Sequence, residues 1–232
     1  MQRVRFATLV APALPLILAL GTSARARAQV GPQYSRLAPV DQYLMSNRND
    51  EIALAKSAAP ASVSRDAEIM VLGTRGYETA VKGTNGFMCM VDRSWMLPFD
   101  SPEFFDPTVR LPACINVPAA RFHVPLMLKT TKLALAGLSR TQISDSIKAA
   151  YDRKALPLPD PGAMCYMMSK QQNFGPKVGS ADPHLMWWLP RTDEMLWGAA
   201  GDDSPVDVHQ YSPQPITEFS VNVAHWSDGS AR

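Results

Sequence analysis

The chain has 232 residues of average apolar content, which points to one domain and leaves room for two small ones. Its formal net charge is +2, but four arginines and no acid precede residue 29, so the remainder carries nineteen basic and twenty-one acidic residues, a net charge of −2. A near-neutral surface without a run of Lys and Arg argues against phosphate binding, so no nucleic-acid partner is expected.

The first segment reads as a secretory signal peptide over 1–28. Arg3 and Arg5 form a positive start, Phe6 to Leu20 an apolar run, and Ala26-Arg27-Ala28 a cleavage signal. Spanning a bilayer takes about 20 apolar residues, and Pro12 and Pro15 each remove a backbone donor that lipid cannot replace. Val4 separates the two arginines, so the twin-arginine signature is absent, and no Cys lies near the cut. The expectation is export to the periplasm or medium, with cleavage after Ala28 and no transmembrane segment in the mature chain.

Residues 29–36 read as a flexible lead-in, 37–226 as a single α+β domain and 227–232 as a C-terminal tail. Pro39 suits a first helical turn, with Val40, Tyr43 and Leu44 as its apolar stripe. Asp50 is the expected cap of a helix from Glu51 to Ala59 that Pro60 ends. Ala67 to Leu72 reads as a buried strand. Tyr77 to Lys82 and Phe87 to Asp92 read as two strands joined by Thr84-Asn85-Gly86, where Asn-Gly tolerates the positive φ of a hairpin turn.

Ser94 to Pro118 carries five prolines and little periodicity, and reads as an ordered irregular excursion anchored by Trp95, Phe99, Phe104 and Phe105. Phe122 to Gly137 reads as a buried helix. Ser139 and Gln142 have the spacing of a capping box, opening a helix with Ile143, Ile147, Ala150 and Tyr151 on one stripe. Ala163 to Ser169, His184 to Leu189 and Ile216 to Trp226 read as strands. Together these predict an α+β fold with a mostly antiparallel sheet of about five or six strands and helices inserted between the strand groups.

The chemistry-bearing residues are few. Cys89, Cys114 and Cys165 read first as small core residues in β structure, where free Cys behaves as a hydrophobe. An oxidising compartment also allows one disulfide, by any of three pairings, with one thiol left over. A soft-metal site is the weakest reading, because adjacent Met and Cys on a strand face opposite ways and no C-x-x-C or H-x-x-x-H occurs. No metal and no cofactor are expected. His184 beside Asp182 could act as an oriented base toward a Cys nucleophile, although a structural histidine at a strand edge is the simpler reading. Trp187 and Trp188 must face opposite sides of their strand, so one of them can serve as a stacking platform. These residues are low-specificity candidates for binding, and none is assigned a catalytic role.

Four segments, Gly86-Phe87-Met88-Cys89-Met90-Val91 with Arg93-Ser94-Trp95, Pro161-Gly162-Ala163-Met164-Cys165-Tyr166-Met167-Met168-Ser169-Lys170, Pro183-His184-Leu185-Met186 and Trp226-Ser227-Asp228-Gly229, resemble a family of exported bacterial proteins. The resemblance spans Ile52 to Gly229 and implies an envelope or extracellular setting, with no activity and no site residue attached. The expected function is a non-catalytic binding or structural domain. The alternative is a periplasmic Cys/His-dependent hydrolase or thiol-redox protein.

Overall fold

A computed structural model describes residues 34–199 and 203–232. The expected leader, and the lead-in up to residue 33, lie outside the described residues. Eight strands form one mixed sheet: β1 (Glu68–Gly73), β2 (Gly76–Val81), β3 (Met88–Asp92), β4 (Leu111–Ile115), β5 (Met164–Met167), β6 (His184–Pro190), β7 (Asp207–Tyr211) and β8 (Ile216–Asn222). Their order is β2-β1-β3-β4-β5-β6-β8-β7, antiparallel throughout except for the parallel pair β1 and β3. The helices are α1 (Arg48–Lys56), α2 (Ala61–Ser64), α3 (Val117–Leu135) and α4 (Arg140–Asp152). No described helix is long and apolar enough to cross a membrane.

The α+β class holds, with two strands more than expected. Both additions have a physical reason for escaping a pattern search. Pro112 sits inside β4, and proline removes a ladder donor. It is tolerated because β5 pairs only with Cys114 and Ile115, leaving Pro112 matched to β3 alone. The stretch taken as an irregular excursion thus contains a central strand. β7 is an edge strand of sequence DVHQY with three of its five residues exposed, so no apolar run marks it.

The expected hairpin is corrected. Both of its strands exist as β2 and β3, but β1 lies between them. The tight turn is Gly73-Thr74-Arg75-Gly76, joining β1 to β2, with Gly76 at φ 118°. The β2–β3 link passes over the start of β1 so closely that a Cβ on Gly83 would stand 2.1 Å from the Glu68 nitrogen. Asn85 ties that link down, its side-chain amide donating to the Val63 carbonyl and its oxygen accepting from the Phe87 amide. Asn-Gly therefore closes a crossover.

Smaller corrections concern helix starts. The segment after Pro39 makes only a 3-10 turn, Val40–Gln42. Helix α1 is capped by Asn47, whose side chain accepts from the Asn49 amide, rather than by Asp50. Helix α3 begins at Val117, capped by Asn116, and tolerates Pro125 inside it. The capping box of α4 forms as expected, Ser139 and Gln142 each satisfying the other's backbone donor.

Two apolar cores hold the first half of the sheet. On one face α1 packs over Ile69, Val71, Cys89, Val91 and Cys114. On the other, α3 and α4 pack over Met70, Leu72, Met90 and Ile115, joined by Trp95, Phe104 and Phe105. Cys89 and Cys114 stand opposite each other on β3 and β4 and form a disulfide. Arg93 is fully buried and donates to the Tyr43 carbonyl (2.8 Å), the Val91 carbonyl and the Glu51 carboxylate (2.9 Å). Glu51 also accepts from the Leu72 amide, so this buried pair is satisfied on both sides.

Candidate functional site

Register decides which side chains share the α3 face. Side chains alternate along a strand, and directly opposed residues point the same way. Asp92, opposite Leu111, therefore shares a face with Cys165 and Met167 of β5, with His184, Met186 and Trp188 of β6, and with Glu218 and Ser220 of β8. His209 and Tyr211 of β7 join them through Glu218 and Ile216. These alternate residues floor a cavity of about 490 Å³, walled by Phe122, His123 and Leu126 of α3 and by the Met96–Glu103 loop.

A chain of polar contacts crosses this floor. Nε2 of His123 lies 2.8 Å from Asp92 Oδ2, and since a carboxylate only accepts, that nitrogen carries the proton. The His123 ring stacks on Trp188 with centroids 5.5 Å apart, and Phe122 meets the same indole edge-on at 5.3 Å. The indole Nε1–H of Trp188 donates to Glu218 (2.7 Å), whose second oxygen accepts from the Tyr211 hydroxyl (3.0 Å). Burial, and then the Glu218 carboxylate, hold the Tyr211 phenol well above its ordinary range.

His184 is placed by a different device. Its Nδ1–H donates to the Asp182 carbonyl at 2.7 Å, which fixes the ring with Nε2 on the side away from that bond. Cys165 lies fully buried in the floor. Burial, followed by the Asp92 and Glu218 carboxylates, pushes its thiol well above the usual range. A thiol is a poor nucleophile until ionised.

Comparison with protein-family models, with curated proteins and with solved structures returns no match. The geometry must therefore be read for itself.

Of the six residues singled out from sequence, the fold brings three to this cavity: Cys165, His184 and Trp188. Trp187 takes the opposite face of β6, as strand alternation requires. Cys89 and Cys114 sit in the α1 core, bonded to each other and remote in role from the cleft. No cluster of three or more His, Cys, Asp or Glu able to hold a metal occurs among the described residues. The residues that sequence reasoning passed over are Asp92, His123, Tyr211 and Glu218. Only His123, between Phe122 and Val124, carried a sequence signal, a polar residue within an apolar helix; Asp92, Tyr211 and Glu218 each have a polar neighbour.

Proposed function

We propose that this chain is an exported binding domain that takes a small organic molecule into the cleft between α3 and the β5–β6–β8 floor, without catalysis of its own. The observation that carries this reading is the cavity itself: about 490 Å³, within the range of small-molecule sites, with an apolar wall and a few fixed polar groups. Those groups are held in place before any ligand arrives, since His123, Trp188 and Glu218 each have a bonded or stacked neighbour. Preorganisation of this kind lowers the cost of binding.

The disulfide supports an oxidising compartment, periplasmic or extracellular, and the Ala26-Arg27-Ala28 motif supports cleavage of a leader after Ala28. N-terminal sequencing of protein from its native cells is expected to begin at Gln29; protein retaining Met1 in the cytosol would contradict export. The alternative, a hydrolase or thiol-redox protein, is favoured by His184 and Cys165 lining the same cleft. It ranks second because that thiol is held protonated.

A thermal-shift panel of small molecules tests the binding reading. A ligand at a hundred times its Kd raises unfolding free energy by about 2.7 kcal/mol. We expect hits that bind with a stoichiometry of one, compete with each other, and lose their effect when Ser220→Phe fills the floor. No hit, or hits that do not compete, would overturn it.

A further inference from the structure

Buried carboxylates line the cleft together with His123, His184 and His209. Asp92, Glu103 and Glu218 line it at 5%, 4% and 6% exposure, and no lysine or arginine lines it among the described residues. Glu218 is held by two neutral donors, Trp188 and Tyr211. Glu103 has one bond, from the Ser101 hydroxyl, and its Oε1 is buried without a partner. Asp92 uses Oδ2 on His123, and its Oδ1 is likewise buried and unpartnered. A buried carboxylate is costly unless paired and fully hydrogen-bonded. Buried Glu51 satisfies that rule through Arg93, whereas buried Asp106, outside the cleft, bonds Thr108 through one oxygen and leaves the other unpartnered. In the cleft Asp92 has His123, while no basic side chain is bonded to Glu103 or Glu218 among the described residues.

A cation entering the cleft would supply that partner. An inorganic ion is a poor fit, since no described cluster offers three ligating groups and the cavity is far larger than an ion. The walls instead carry Phe122, Trp188 and Tyr211, and aromatic rings attract cations through their π faces. Resting on the binding reading above, we infer that the ligand is a small organic cation: a protonated amine on an apolar or aromatic body. The ammonium group meets the Glu218 carboxylate within the field of Asp92 and Glu103, and the body lies against Leu126, Met167 and Met186.

Three near-isosteric probes separate charge from shape: 2-phenylethylamine, 2-phenylethanol and phenylacetate, titrated calorimetrically into the intact protein at pH 7. The amine is expected to bind at least about tenfold tighter than the alcohol, and phenylacetate weakest of all. Asp92→Asn, Glu218→Gln and Glu103→Gln, tested separately so that one misfolded variant decides nothing, should each narrow the amine-to-alcohol ratio. Equal affinity for amine and alcohol, or tighter binding of phenylacetate, overturns the cation assignment while leaving the cleft a ligand site. Failure of all three probes at about 10 mM overturns the cation assignment too; the binding reading then falls only if the thermal-shift panel is also empty.

Discussion

The two halves of the sheet are built to different rules. Strands β2, β1, β3 and β4 are sandwiched between α1 on one face and α3 with α4 on the other, with the buried Arg93–Glu51 ion pair beside them. Asp92, at the end of β3, turns toward the cleft. Strand β6 meets α3 through Trp188, which packs on Phe122 and His123, and the face that β6, β8 and β7 share with Asp92 is lined by His184, Glu218, Ser220, His209 and Tyr211. One half spends its side chains on cohesion. The other keeps polar groups at a cavity, where their bonding is left partly open. On the proposed reading, cohesion is concentrated in one part of the sheet and ligand binding in the other, with β5 at the seam.

That division predicts a gradient of mutational cost. The largest effect belongs to the first half: Arg93→Ala or Glu51→Ala strands a buried charge and should cost about 3–5 kcal/mol, read from urea unfolding. Next comes the disulfide. Replacing both Cys89 and Cys114 with Ala releases a 25-residue loop in the unfolded chain, worth about 3 kcal/mol in the chain-entropy model. In the second half, Glu218→Gln keeps its shape but loses one acceptor oxygen, at about 1–2 kcal/mol. A Glu218→Gln variant as damaging as Arg93→Ala would break the comparison.

The smallest expected signal concerns protons. Burial favours the protonated forms of Cys165 and Tyr211, so each has a folded-state pKa above its unfolded value. Their contribution is fully present below the unfolded values of 9.0 and 10.0 and declines as pH rises from there toward the folded ones. The unfolding midpoint should therefore fall above about pH 9, and Tyr211→Phe should flatten part of that fall. A thiol probe at pH 8 should leave the folded protein untouched and react at one site once it unfolds without reductant. Rapid reaction of folded protein would move Cys165 from the floor into the chemistry.

Legibility in the sequence followed the same division. Local signals were sufficient where a segment decides its own structure: the Ser139–Gln142 box, the apolar run of β1, and the alternation that sends Trp187 and Trp188 to opposite faces. They failed where a neighbour decides. Asn85-Gly86 carries hairpin chemistry, yet Gly83 lets the chain cross over β1, and no local rule foretells that. Pro112 hid a central strand because the absence of β5 beside it is a tertiary fact. The cleft was half visible. Cys165, His184 and Trp188 stood out by residue type, whereas Asp92 and His123 lie 31 positions apart and Trp188 and Glu218 lie 30 apart. Only the register of β3, β6 and β8 and the placement of α3 bring them together.

The claim that recognition resides in one half of the sheet is tested most directly by amide NMR of the labelled protein titrated with 2-phenylethylamine. Shifts should concentrate on Asp92, His123, Glu218 and the Trp188 indole N–H, with β1, β2 and α1 unmoved. Shifts centred on the α1 face or on exposed Trp197, or no shifts at saturating amine, would contradict it.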